Sequence, residues 1–335
     1  MRLEVRVLGR GSCWLLASAM VLTGCGGEDG PAGGGGGSAG SGGGSGSGGS
    51  AVGGSSGGGG TAAGGGSGSG GTAAGGSAGS GGTTNCQPAT RLWFEDFETG
   101  NYDRWTSKTY GKDWKNGYCH DNGFSSAHAV SPTHAHRSEI TCASDESHRG
   151  YGGLQFSGDQ LVPAYTNQGS GIDAPHGVVN TYWSRLSAPY AFANGKWFSF
   201  WTVNSHCGWQ ENVITLGLED ASNRLTPAHI KSTGGTVTFA PNAPSFPMDT
   251  WARTTLYINY HSGVMVIWQD GAKVSESTFT RPTKTICQWH WGAYANQDND
   301  DVVLYEDDIS IWKLHAPLPN LDDEPYLGVN VPACP

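Results

Sequence analysis

Between Trp251 and Leu314 the chain alternates apolar and polar residues so regularly that only extended structure accommodates it. In WARTTLYINY, Leu256, Ile258 and Tyr260 fall on one side, and Thr255, Tyr257 and Asn259 on the other. Side chains two apart share a face of a strand, so this pattern predicts a half-buried sheet. A turn at His261-Ser262-Gly263 leads into VMVIWQDG, where Asp270-Gly271 supplies a tight hairpin turn. The aromatic strand CQWHWGAY (Cys287 to Tyr294) and the closing strand VVLYEDDISIWKL (Val302 to Leu314) follow. Upstream, RLWFEDFETG (91–100), GGLQFS (152–157), VVNTYWSRL (178–186), KWFSFWTVNSH (196–206), ENVITLGLED (211–220) and GTVTFA (235–240) read as further strands. Together they predict roughly a dozen strands in an all-β, two-sheet antiparallel sandwich. No repeat of 20–50 residues is visible, which disfavours a propeller or a solenoid.

The rest of the chain serves delivery. Residues 1–25 read as an export signal: Arg2, Arg6 and Arg10 precede WLLASAMVL, an apolar run too short to span a bilayer stably. Leu22-Thr23-Gly24-Cys25 resembles the bacterial lipobox, which implies lipidation of Cys25. Residues 26–85 are almost wholly Gly, Ser, Ala and Thr and offer too little apolar surface to offset chain entropy. As a flexible coil the segment would span roughly 40–45 Å, a tether for the domain at 86–335. The expected setting is therefore the bacterial cell envelope, with the protein anchored in a bilayer through lipid and monomeric.

From Cys86 onward there are 16 basic and 26 acidic residues, so the domain carries the whole net charge of −10. Such a surface argues against nucleic acid. Six cysteines remain once Cys13 and Cys25 are set aside, and an even count in an exported domain reads as disulfides. Of the many pairings six cysteines allow, the expected set is Cys86–Cys334, Cys119–Cys142 and Cys207–Cys287. There is no phosphate-cradling glycine loop, nucleophile elbow or HExxH motif. His134 and His136, two apart, could share a metal ion if a third ligand came from elsewhere; hydrogen-bonded histidines are the alternative.

Three activities fit an exported sandwich of this composition. Glycan binding needs aromatic platforms and planar polar edges, and Trp114, Trp209, Trp289 and Trp291 are candidates. A glycoside hydrolase needs two carboxylates across the scissile bond, and the nearest cluster is Glu306, Asp307 and Asp308 in the closing strand. A polysaccharide lyase needs groups that neutralise a uronate carboxylate, take the C5 proton and protonate the leaving oxygen. Gln288, His290, Gly292 and Tyr294 share one strand face, and a Cys207–Cys287 bridge would hold Asn204 and His206 beside it.

FEDFETG near the start, the paired hairpin ending in VMVIWQDG, and the final YEDDISIW resemble the concanavalin A-like lectin/glucanase superfamily. The resemblance covers about residues 90–315 and implies a two-sheet jelly roll. Within it, WHWGAYANQ (289–297) looks like the strand of alginate-lyase-type enzymes that carries their catalytic Tyr. Tyr294 matches that Tyr, His290 stands where a Lys would be, and Ala295 is an extra residue. FWTVNSH (200–206) is similar in place to their Q-I-H strand, with His206 as its His. HRSEI (136–140) looks like their R-S-E-L motif. The resemblance implies catalytic roles for Tyr294, His206 and His290, and groove contacts from Arg137 and Glu139, with Arg185 a further candidate cation. The shared strand face and the bridge add Asn204 as a catalytic candidate and Gln288 as a substrate contact, and Trp209 is an aromatic candidate for substrate contact. The resemblance also implies a structural Ca²⁺ bridging the first and last strands through Glu95, Asp96 and Asp308, with the acidic run at 298–301 as a second candidate. The expected function is thus a carbohydrate-binding jelly roll acting on or binding polysaccharide, with β-elimination of a uronic-acid polymer as the alternative.

Overall fold

The computed structural model describes residues 88–105, 119–143, 147–163, 169–187, 197–205, 207, 213–219, 223–231, 235–238, 244–279 and 284–331. The expected export segment with Cys25, the expected tether at 26–85, Cys86, Cys334, Trp114, His206 and Trp209 lie outside them.

In chain order the strands are β1 (Ala89–Glu95), β2 (His120–Ser125), β3 (Ala135–Ile140), β4 (His148–Ser157), β5 (Gln160–Val162) and β6 (Ile172–Asp173). Then come β7 (Val178–Leu186), β8 (Trp197–Asn204), β9 (Val213–Glu219), β10 (Arg224–Lys231), β11 (Gly235–Thr238) and β12 (Ala252–Asn259). The last five are β13 (Val264–Gln269), β14 (Ala272–Thr278), β15 (Thr285–Ile286), β16 (Gln288–Ala295) and β17 (Val302–Leu314). The described residues form no helix.

Two antiparallel sheets hold nearly all of these strands. The eight-stranded sheet runs β14-β13-β12-β7-β17-β3-β2, with β1 also on β17; the seven-stranded sheet runs β11-β10-β9-β8-β16-β4-β5. The late strands β16 and β17 insert between early neighbours, β16 between β8 and β4 and β17 between β7 and β3. This interleaving makes a jelly roll from simple hairpins.

Local sequence explains the hairpins. Asp270 and Gly271 both take positive φ, at 51° and 89°, so a two-residue turn joins β13 to β14 with the twist the strands need. At the other end of β13, Asn259 Oδ1 accepts the His261 and Ser262 N–H groups at 2.8 and 2.9 Å. Strand β14 pairs along β13 and adds an edge that the alternation between residues 251 and 314 did not reveal.

Tryptophan dominates the core between the sheets. Trp291 stacks on Trp93 at 5.4 Å, meets Trp105 edge-on at 6.0 Å, and lies nearly parallel to Trp289 at 6.0 Å. Trp201 meets Trp289 edge-on at 6.0 Å. Trp289 and Trp291 are both fully buried. The expectation that they serve as sugar platforms is therefore corrected. Gln288, His290 and Tyr294 take the other side of β16, and the pleat sends 289 and 291 into the sandwich.

The outer face of the eight-stranded sheet is also covered. Residues 318–331, without regular structure, lie across it. Leu318, Leu321, Leu327 and Val331 pack on Val179, Tyr257, Val266, Trp268, Trp312 and Leu314. Arg253 clamps the Glu324 carboxylate with two nitrogens, at 3.0 and 2.5 Å, and its guanidinium lies 4.5 Å from the Tyr326 ring. Ser310 Oγ donates to the Leu327 carbonyl at 2.5 Å.

Two of the three expected disulfides fall within the described residues, and both are present. Cys119 pairs with Cys142 and Cys207 with Cys287, with Cα–Cα distances of 4.9 and 5.2 Å.

Candidate functional site

The outer face of the seven-stranded sheet is polar where the corresponding face of its partner is apolar, and on it Gln155, Asn204, Gln288, Thr202 and His290 are buried whereas Tyr294 is half-buried. Strand pairing builds it row by row. Gln288 on β16 lies directly opposite Asn204 on β8 and Gln155 on β4, so three amides stand side by side. Two residues along, His290 lies opposite Thr202 and Gly153. Tyr294 lies opposite Ser199 on one side and Arg149 on the other. Core residues fill the alternate positions: Trp289 and Trp291 on β16, Leu154 and Phe156 on β4, Trp201 and Val203 on β8.

The amide row is buried and only partly satisfied. Asn204, Gln155 and Gln288 are each at most 1 % exposed. Gln288 Nε2 donates to Gln155 Oε1 at 3.1 Å and to the Cys207 carbonyl. The Cys207–Cys287 bridge thus fixes the residue beside Gln288 and the carbonyl that Gln288 holds. Among the described residues nothing accepts from Gln155 Nε2 and nothing donates to Gln288 Oε1. Buried amide atoms are seldom left this way, and each costs about 1–3 kcal/mol unless a ligand or water supplies the missing bond.

The aromatic row lies one step along. The His290 ring stacks on Tyr151 at 4.4 Å with planes 23° apart. Tyr294 packs edge-on between Trp197 at 4.8 Å and Tyr151 at 5.6 Å, and is only half-buried. Burial holds the His290 imidazole well below its ordinary pKa, because the charged form would lose its hydration. His290 is therefore neutral at neutral pH and retains a lone pair.

Of the residues expected in the site, the structure brings Tyr294, His290, Gln288 and Asn204 to one face. Arg137, Glu139 and Arg185 are elsewhere. They lie on β3 and β7 of the eight-stranded sheet, where His136, Ser138, Tyr182 and Ser184 take the inward positions. Arg137 pairs with Glu139 at 2.6 Å and Arg185 with Asp249 at 3.0 Å. Gln155, Tyr151 and Thr202 were not anticipated. The signal for Gln155 was present: in GYGGLQFS it is the polar side chain of a strand otherwise built from small and apolar residues.

The expected calcium ligands are Glu95 and Asp96, at the end of β1, and Asp308, in the middle of β17. Among the described residues no three His, Cys, Asp or Glu side chains converge as a metal-holding group. Arg104 Nη1 bonds both Glu95 Oε1 at 3.2 Å and Asp96 Oδ1 at 2.5 Å. Asp308 bonds the Ser131 hydroxyl, and Asp307 accepts the Val130 and Ser131 N–H groups at 2.7 and 2.9 Å. Glu95 Oε2 is buried with no partner among the described residues, and burial pushes the Glu95 carboxyl up to about 7. A buried carboxylate oxygen without a partner among the described residues is the kind of donor that a hard cation takes.

A further polar cluster lies inside the sandwich. His136 Nδ1 is 3.4 Å from Glu306 Oε2, and its Nε2 is 3.0 Å from Asn122 Oδ1. Burial lowers the His136 imidazole to about 4 and raises the Glu306 carboxyl well above the carboxylate range, so both prefer to be neutral. Glu306 therefore belongs to the interior rather than to a hydrolytic carboxylate pair. His134 makes its contacts at the surface with Thr133 and Glu98, so the two histidines do not share an ion.

No protein-family model matches the chain, and no curated protein matches it. Solved structures do resemble it. An endo-β-1,4-glucuronan lyase from the fungus Trichoderma reesei aligns at 17 % identity over 70 % of this chain and 98 % of its own, with a TM-score of 0.48. A cellulose-induced protein, Cip1, aligns at 16 % identity over 67 % and 99 %, with a TM-score of 0.47. An alginate lyase aligns at 10 % identity over 53 % and 75 %, with a TM-score of 0.39.

Proposed function

We propose that the outward face of the seven-stranded sheet binds polysaccharide. The observation that carries this reading is the buried row Asn204–Gln288–Gln155, which leaves one amide donor and one amide acceptor unanswered beside Tyr151, His290 and Tyr294. Planar amides next to aromatic rings match the hydroxyl edges and apolar faces of sugar rings.

A second reading, elimination on a uronic-acid polymer, is favoured by the neutral imidazole of His290 on the same face as the Tyr294 hydroxyl. In that reaction a base takes the C5 proton, and the C4–O4 bond breaks with its electron pair going to oxygen. That oxygen is protonated, and a C4–C5 double bond forms. His290 would accept the first proton, Tyr294 would supply the second, and the amide row would hold the carboxylate.

The two readings separate in one experiment. The chain is run on affinity gels containing alginate, glucuronan or a neutral β-glucan, while absorbance near 235 nm is followed in solution. Retention that weakens roughly tenfold or more in Gln288→Leu supports recognition at this face. A rise at 235 nm that Tyr294→Phe abolishes adds elimination. Retention unchanged in Gln288→Leu overturns the assignment of the face.

Delivery belongs to the same proposal. The domain would be held at a bacterial envelope by lipid on Cys25 and displayed, as a monomer, on the Gly/Ser tether. Loss of the chain from the membrane fraction in Cys25→Ser tests the anchor. A structural Ca²⁺ would take Glu95 and Asp308, and a melting temperature raised by millimolar Ca²⁺ and restored by chelator tests that site.

A further inference from the structure

Strand β16 carries a bulge in the middle of the candidate site. Trp291 pairs with Trp201 and Tyr294 with Ser199, so Gly292 and Ala293 together face the single residue Phe200. One strand further, β8 bulges against β9 at the same level, between Ser199 and Trp201. Bulges re-aim the side chains that follow them, and the one in β16 stands between His290 and Tyr294. Gly292 has φ of 122°, and a Cβ there would fall 2.4 Å from the Gly150 carbonyl oxygen.

A bulge frees backbone groups from the ladder, and inside a sandwich those groups need partners. The opposite sheet supplies them. Ser138 on β3 accepts the Ala293 N–H at 3.2 Å and donates to the Gly150 carbonyl at 2.5 Å, so one hydroxyl ties β16 to β4. A Cβ at Gly150 would lie 2.6 Å from that hydroxyl, which explains the glycine. The Gly292 N–H on β16 points its partial positive charge at the Glu306 carboxyl on β17 and favours its charged form, against the larger effect of burial. Glu306 is itself steadied by His136, 3.4 Å away, which Asn122 holds from its other ring nitrogen. Ser138, Glu306 and His136 are all at most 2 % exposed, in a layer filled mainly by aromatic and aliphatic side chains.

We propose that Glu306 and Ser138 are positioning residues that reach across the core, pin the Gly292–Ala293 bulge, and thereby set Tyr294 against His290 on the far face. Their place in the polysaccharide site rests on the function proposed above, whereas the pinning does not.

Amide hydrogen exchange on the full chain tests it, read over 288–296 with β12–β13 as the internal reference. Glu306→Leu and Ser138→Ala are each expected to speed exchange in 288–296 about tenfold, the loss of one buried hydrogen bond, with the reference unchanged. Glu306→Gln keeps an acceptor oxygen for the Gly292 N–H and is expected to retain wild-type exchange. Retention on glucuronan and alginate gels is expected to fall in the first two variants and to be kept in the third. Unchanged exchange over 288–296 in both Glu306→Leu and Ser138→Ala would overturn the pinning, as would equal acceleration everywhere. If the wild-type chain binds neither polymer, the polysaccharide reading fails while exchange still decides the pinning.

Discussion

Trp291→Ala is expected to cost about 3–5 kcal/mol of stability, the range for a large aromatic removed from a packed core. The indole is fully buried and touches Trp93, Trp105 and Trp289, so its loss leaves a cavity that three rigid rings cannot collapse to fill. For a domain of this size, that corresponds to a melting temperature lower by roughly 6–20 °C. A tryptophan serving as a sugar platform would behave oppositely, with stability nearly unchanged and affinity lost. Thermal unfolding of Trp291→Ala beside the wild type distinguishes the two. A shift of a degree or less would mean that β16 is threaded with the other face inward, and the site described above would be dismantled with it.

Acid lability traced to His136 is the second large effect. The folded state resists protonating this imidazole, whose pKa falls from 6.5 to about 4 on burial. The unfolded chain therefore binds more protons between those values. The stability from keeping the ring neutral is fully present above pH ~6.5 and is lost as pH falls through about 4, a change of about 3 kcal/mol. Glu306, the titratable group facing it, works in the other direction: its raised carboxyl favours the folded state at low pH and costs stability as pH rises. Comparison with His136→Gln separates the two, because Glu306 remains in both chains. Denaturant titrations from pH 7 to pH 4 are expected to show the wild type losing about 3 kcal/mol relative to the variant. A constant difference across that range would mean that the imidazole titrates as it does in water, and is not enclosed between the sheets.

Much of this molecule could be read from the period of two, and the failures have specific causes. The face of β16 that carries Gln288, His290 and Tyr294 followed from alternation alone. The same alternation required Trp289 and Trp291 to point inward, against their expected role as sugar platforms. In β8 alternation misleads. Phe198 and Phe200 lie in the core with Trp201 and Val203, because the bulge between Ser199 and Trp201 switches faces, and nothing in a run of aromatic residues marks it. Arg137, Glu139 and Arg185 show a different limit. Their parity within β3 and β7 was legible, but their sheet is set by pairing with β17, more than a hundred residues later. A local motif such as HRSEI carries no information about that partner.

The covering segment at 318–331 had a sequence sign that was not used. Apolar residues occur at both parities in VMVIWQ and ISIWKL, as expected of strands buried on both faces. The Cys119–Cys142 and Cys207–Cys287 bridges were anticipated correctly. Gln155 stood out as a polar side chain in its strand, but the strand alone does not say what it faces. Only the pairing of β4 with β16 sets it beside Gln288.

The claim on which the rest depends is that sugar meets the chain at the amide row. Chemical-shift mapping of the side-chain amides, during titration with glucuronan or alginate oligosaccharides, addresses it without reference to any reaction. The expected result is saturable movement of the Gln155, Gln288 and Asn204 signals, together with the backbone of Gly292 and Tyr294, lost in Gln288→Leu. Saturable shifts confined to the opposite sheet around Arg185 and Tyr305, with the amide row unmoved, would contradict it.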